Sequence, residues 1–125
     1  MRTSTATIEI DAQGRVITRI DPGAVQTLEL ARENLTATIA ACAGVRRGLL
    51  VDISRCEPLE PEVRHFYSGT ILVQSFAALA LRIEASVFGR MMGNVYLRIA
   101  RPSIPTRLFT DDAEALAWLT EVDAR

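Results

Sequence analysis

Lysine is absent from this chain of 125 residues; all fourteen basic residues are arginine. Selection for planar, bidentate anion contacts would favour arginine over lysine. Here the arginines are scattered from Arg2 to Arg125, the pattern of an arginine-biased composition rich in Ala and Val. Histidine occurs once, at His65, and cysteine twice, at Cys42 and Cys56. A lone histidine makes no triad without a nucleophile and an orienting acid beside it. Ser54, Cys56 and Ser68 are available on paper, but none lies in a nucleophile-elbow pattern. One His and two separated Cys make no zinc site, and two Cys make no disulfide framework. Glu57, Glu60 and Glu62 lack the glycine-bearing spacing of a calcium loop. They read as a solvated acidic loop that favours a helix N-terminus. A phosphate-binding loop is also missing, because Gly89-Arg-Met-Met-Gly93 falls inside a predicted helix, not between strand and helix. The chain is therefore expected to be no enzyme and to carry no metal and no cofactor.

Long apolar runs are missing as well. The longest, around Ala77 to Leu81, is far short of the ~20 residues that cross a bilayer. Met1 to Ile10 lacks the apolar core of a signal peptide. A cytoplasmic location without an integral membrane segment is the expectation. The formal net charge of −1 removes the electrostatic warrant for nonspecific nucleic-acid binding.

What is present is an ordinary globular balance, 49% apolar and 23% charged, in a length that suits one domain spanning 1–125. Thr5 to Ile10 alternates Ala6, Ile8 and Ile10 against Thr5, Thr7 and Glu9, a half-exposed strand. Asp11-Ala-Gln-Gly14 turns the chain into a second strand over Arg15 to Ile20, completing a hairpin. Asp21-Pro-Gly23 ends it. Thr27 is placed to cap a helix with Glu29 in its first turn, and Leu28, Ala31, Leu35, Ile39 and Cys42 form its apolar stripe. Gly44 closes that helix. Gly48 to Ile53 is apolar on both faces up to Asp52, the signature of a central strand.

Pro61 suits the first position of a helix. Val63, Phe66, Tyr67 and Ile71 give it a buried face, interrupted near Ser68-Gly69, so two short pieces or a kinked helix are expected up to Ser75. Phe76 to Glu84 reads as a strand. Ser86 is placed to cap a helix running to Arg98, stopped by Pro102 and Pro105. Arg107 to Thr110 is a short edge strand. Asp111 or Asp112 caps the last helix, packed through Ala113, Leu116, Trp118, Leu119 and Val122, with Trp118 as its core anchor. The order β-β-α-β-α-β-α-β-α predicts a mixed α/β fold with a mostly parallel sheet of about five strands.

That order resembles the fold of anti-sigma-factor antagonist domains, shared with the sulfate-transporter cytoplasmic domain (STAS) and, more loosely, the Sec14-type lipid-binding domain. Leu49-Leu-Val-Asp-Ile-Ser54 is similar to the strand preceding the phosphorylated serine of the antagonists. Asp21-Pro-Gly23, Leu50-Val-Asp52, Gly93-Asn94, Pro105-Thr-Arg-Leu-Phe-Thr110 and Ala115-Leu-Ala-Trp-Leu119 resemble the pattern of a small uncharacterised bacterial STAS-like family. The resemblance covers nearly the whole chain. The antagonists start the next helix with an Asp-Ser-Ser-Gly-like turn; here that turn falls on Glu60-Pro-Glu-Val63. Pro61 occupies the serine position and has no hydroxyl, so the phospho-switch is not carried over.

The resemblance implies a non-enzymatic regulatory or protein-interaction domain. Its contacts would come from loops at the carboxyl ends of strands: Ser54, Arg55, Glu57, Glu60 and Glu62 after one strand, and Glu84 to Phe88, including Ser86, after the next. The alternative it implies is a Sec14-like binder of an apolar or amphipathic ligand. The candidate anion site combines Arg46, Arg47 and Arg101, at loops entering strands, with Arg107, which starts one; Arg90 and Arg98 lie nearby in sequence. With Asp52, Glu57, Glu60, Glu84 and Asp111 toward the other ends, the molecule is expected to be electrically polar from end to end. Unsatisfied sheet edges suggest a two-fold homodimer.

Overall fold

The computed structural model describes residues 1–66, 74–86 and 104–123. Five strands form one sheet in the order β1-β2-β3-β4-β5: β1 is Ala6–Ile10, β2 Val16–Ile20, β3 Arg47–Asp52, β4 Phe76–Arg82 and β5 Thr106–Phe109. The β1–β2 pair is antiparallel and every other pair is parallel. Helix α1 is Leu28–Ala41, α2 is Pro61–Phe66 and α3 is Asp112–Asp123. The expected mixed, mostly parallel sheet is present, with Leu49 to Asp52 in its central strand. The helix expected to run from Ser86 to Arg98 lies, beyond Ser86 itself, outside the described residues, as do the segment through Tyr67 and Ile71 and the arginines Arg90, Arg98 and Arg101.

Local chemistry explains the boundaries. Asp11 organises the hairpin turn: its carboxylate accepts from the backbone N–H of Gln13 and Arg15, each at 3.0 Å. Gly14 takes the left-handed conformation there, φ +82°. Thr27 Oγ1 accepts the Leu30 N–H at 3.2 Å, capping α1. Pro61 opens α2, where the absent N–H costs nothing. Asp111 caps α3 by accepting the Glu114 N–H at 3.0 Å.

The two sheet faces bury different material. On one face Val16, Leu49 and Leu79 pack with Leu35 of α1 and with Cys42, which caps its end. Polar groups are also buried here. Thr18 and Thr38 share a hydroxyl bond of 2.9 Å, and Asn34 Nδ2 donates to Thr5 Oγ1 and Gln26 Oε1. Every member has a partner, so burial carries little penalty. On the other face Ile17, Leu50, Ala78 and Ala80 meet Ala115 and Leu119 of α3. Gly48 permits that approach: a Cβ there would lie 3.3 Å from Leu119 Cδ2.

Trp118, expected as the core anchor of α3, is only partly buried; Ala115 and Leu119 are the fully buried residues. The indole lies over the outermost, four-residue strand and packs against Phe109 with ring centroids 5.6 Å apart. A sheet edge cannot enclose it. Met1 and Thr3 hydrogen-bond to Ile8 and Ala6, so residues 1–3 cover the outer edge of β1.

Candidate functional site

Strand registry builds a row of polar side chains at the carboxyl end of the sheet. Thr7 pairs with Arg19, Arg19 with Asp52, Asp52 with Arg82, and Arg82 with Phe109. Residues opposite one another across neighbouring strands point to the same face, here the face covered by α3. Each charged member follows apolar residues of its own strand: Arg19 follows Ile17, Asp52 follows Leu50 and Arg82 follows Ala80, which are all buried. The parallel strands thus bring their charges to one level, just where the apolar core ends.

Asp112, the first residue of α3, joins this row from above. Arg19 Nη1 donates to Asp52 Oδ2 at 2.9 Å, and its Nη2 lies 2.9 Å from Asp112 Oδ2. Arg82 Nε faces Asp112 Oδ1 at 3.4 Å; both atoms are buried and form an ion contact without hydrogen-bond geometry. Asp52 Oδ1 accepts the Ser54 backbone N–H at 2.9 Å and also the Ser54 hydroxyl. Burial pushes the Asp52 carboxyl up, but the Ser54 hydrogen bonds and Arg19 outweigh it, and the group titrates below the usual carboxylate range. Burial likewise lowers Arg19, and Asp112 and Asp52 more than restore it. The row is a fixed lattice of full charges.

Beside the lattice lies an open groove of about 350 Å³, lined among others by Thr7, Arg19, Asp21, Ser54, Arg55 and Arg82. Asp21 is held by a fork from Arg2. The loops after β2 and β3 are stapled together: the Gly23 N–H donates to Arg55 O at 2.8 Å and the Glu57 N–H to Ala24 O at 3.0 Å.

Among the residues expected to contact a partner, Arg55, Glu57, Glu60, Glu62 and Ser86 are exposed, and Ser54 is half-buried against Asp52. Glu84 is exposed next to them in the β4 exit. They lie in the segments that leave the carboxyl ends of β3 and β4, here termed the outer rim. Of the expected anion site, Arg101 lies outside the described residues, and Arg47 and Arg107 are not brought together. Arg47 donates to Gly14 O at 3.0 Å and to Cys42 O at 3.3 Å, closing turns at the amino end. Arg46 is exposed beside it. Arg107 pairs with Ala80 in β5, roughly 10 Å along the strands and 10 Å across from Arg47, and its guanidinium rests 5.4 Å from the Phe109 ring centroid. Of the acids expected at the carboxyl end, Asp52 is paired with Arg19, whereas Glu57, Glu60, Glu84 and Asp111 are exposed.

The reactive residue types occupy different settings. His65 is exposed on α2, which packs against α1. Cys42 is buried in the core and its thiol is pushed up by desolvation. The Cys56 thiol is pushed up to about 11, mainly by burial, and lies 3.5 Å from Ile53 O. No group of three metal-ligating side chains occurs among the described residues. No described helix is long and apolar enough to cross a membrane. A second cavity, between the sheet and α1, is lined by Leu35, Leu49, Val51, Leu79, Leu81 and a polar corner of Thr18 and Thr38, and holds about 40 Å³. That is room for water, well below the roughly 300–1,000 Å³ of a drug-sized ligand pocket.

Sequence reasoning missed Arg19, Arg82 and Asp112. The available signal was a charge at the last inward position of an apolar strand, in Ile17-Thr-Arg19 and in Ala78-Leu-Ala-Leu-Arg82.

A sheet opening with a hairpin and continuing in parallel, with α1 on one face and α3 on the other, defines a SpoIIAA-like, or STAS-like, fold. The same architecture is seen in the crystal structure of an uncharacterised protein of the DUF3478 family from Shewanella loihica PV-4, described as having a SpoIIAA-like fold. It shares 17% identity at a TM-score of 0.64, over 95% of this chain and 98% of that one. By sequence, residues 8–123 match the domain of unknown function DUF7793, and the chain belongs to that family. No curated protein matches it.

Proposed function

We propose that this chain is a non-enzymatic recognition module that binds a protein partner through its carboxyl-end rim, residues 54–62 and 84–86. One observation carries the reading: Glu57, Glu60, Glu62 and Glu84 are all exposed in the segments that leave the carboxyl ends of β3 and β4, the same ends at which Arg19, Asp52 and Asp112 are paired with one another. A fixed floor with a solvated acidic border suits docking of a basic surface, since complementary charge steers and orients association. Chemistry has less support. Asp52 is held ionised by its partners, and a thiol titrating near 11 is neither a thiolate nor a base at neutral pH. The cavity under α1, at about 40 Å³, gives little room to the alternative of an apolar-ligand carrier.

The test is charge reversal. The tagged triple variant Glu57→Lys, Glu60→Lys, Glu62→Lys should lose a protein that co-purifies with the native chain from its source organism, while Arg46→Glu retains it. Equal retention by both variants would contradict the reading. The proposal places the module in the cytoplasm as a two-fold dimer. Residues 1–3 cover the β1 edge, whereas nothing among the described residues pairs with the outer edge of β5. Sedimentation at micromolar concentration should give twice the monomer mass; a monomer throughout would refute the dimer.

A further inference from the structure

We propose that the groove beside the Arg19–Asp52 row binds a small oxyanion, the phosphate or carboxylate group of a compact molecule. The inference concerns the groove itself and does not depend on the rim having a protein partner.

The donor inventory favours an anion. Arg19, Arg55 and Arg82 line the groove with Asp21, Asp52 and Asp112, and Arg2, not itself a lining residue, pairs with Asp21. The carboxylates are already engaged: Asp21 by Arg2, Asp52 by Arg19 and Ser54, Asp112 by Arg19 and Arg82. The arginine donors are not used up. Arg55 lines the groove, and its guanidinium makes no hydrogen bond or ion pair among the described residues. Arg82 donates through Nη1 to Ile83 O at 2.7 Å and turns Nε to Asp112, leaving its Nη2 without an acceptor among the described residues. Two guanidinium groups with spare N–H donors in one concavity match the two-pronged geometry by which arginine holds carboxylate and phosphate.

The supports are rigid. Arg82 is fixed in the central part of the sheet by pairing with Asp52 and Phe109 on either side. Arg55 is held at its backbone by the Gly23 N–H. Thr7, on the opposite wall, adds a hydroxyl. A volume of about 350 Å³ is enough to admit a small metabolite.

The experiment is an NMR titration of the full chain at pH 7 with sodium phosphate and, separately, sodium acetate, each against sodium chloride at matched ionic strength. The arginine Nε–H signals are followed. Saturable shifts of the Arg55 and Arg82 signals with either oxyanion are expected, and the stronger of the two identifies the headgroup. Arg55→Ala, an exposed substitution that leaves the core intact, should weaken binding about tenfold or more. Arg46→Ala, at the far end of the sheet, should leave it unchanged. Shifts that fail to saturate, that chloride reproduces, or that persist undiminished in Arg55→Ala would overturn the proposal.

Discussion

At the amino end of the sheet, arginine side chains close the fold upon itself; at the carboxyl end, they face carboxylates across an open groove. Arg15, 8% exposed, donates to Asp11 Oδ2 at 2.7 Å, Leu116 O at 2.6 Å and Thr120 Oγ1 at 2.7 Å, tying the β1–β2 turn to the last turns of α3. Arg47 bonds to the carbonyls of Gly14 and Cys42. Arg19 and Arg82 sit in the sheet itself, with Asp52 and Asp112 as their partners, and Arg55 stands at the groove mouth. The same residue type does structural work where its donors tie separate segments together, and leaves chemistry available where it lines an open groove. Counting arginines along the chain does not separate the two uses; their surroundings do.

Four substitutions grade this contrast. Arg15→Ala should have the largest effect on stability, about 3 kcal/mol, because it removes a buried side chain that pairs with the half-buried Asp11 carboxylate and with two acceptors on α3. A urea midpoint near that of the native chain would break the claim that the amino end is structural. Asp52→Asn should cost about 2 kcal/mol, since it weakens the Arg19 contact while keeping the Ser54 geometry.

That variant also has a pH signature. Asp52 and Asp11 both titrate below their ordinary range in the folded chain; in each, burial opposes the shift and is outweighed, by Ser54 and Arg19 for Asp52 and by Arg15 for Asp11. A depressed folded value contributes stability that is fully present above the unfolded pKa of about 3.9 and is lost as pH falls through the folded value. Asp52→Asn should therefore lose less stability than the native chain between about pH 4 and pH 2, followed by Trp118 fluorescence. An identical acid limb would place the sensitivity elsewhere.

Arg47→Ala should cost about 1 kcal/mol, two hydrogen bonds from a half-buried side chain offset by regained solvation. Arg55→Ala should change the denaturation midpoint least, within about 0.5 kcal/mol, because the side chain is exposed and supports nothing. A loss comparable to that of Arg15→Ala would erase the distinction between the ends.

Much of the fold was legible because its signals are local. Asp11 to Gly14 is a turn by its own chemistry, Thr27 and Asp111 cap by their own hydroxyl and carboxylate, and Leu49 to Val51 is apolar on both faces wherever it is placed. The site was less legible because it is a product of registry. Nothing near Arg19 in sequence announces that Asp52 will lie opposite it or that Arg82 will follow on the next strand; those pairings arise from sheet contacts thirty or more residues apart. The buried polar pairs under α1 are hidden for the same reason, since Thr38 and Asn34 find Thr18, Thr5 and Gln26 only after the helix docks. The expectation of an anion site at Arg46, Arg47, Arg101 and Arg107 relied on position along strands. It overlooked that Arg47 reaches carbonyl groups nearby.

The division between the ends is tested most directly by photo-crosslinking in the source organism, with a photoreactive amino acid placed at Glu60 in one chain and at Arg46 in another. Both positions are exposed, so neither substitution disturbs the core. A discrete crosslinked protein from position 60, absent from position 46, is the predicted result. The same crosslinked product from both positions, or one from position 46 alone, would contradict the assignment of recognition to the carboxyl-end rim.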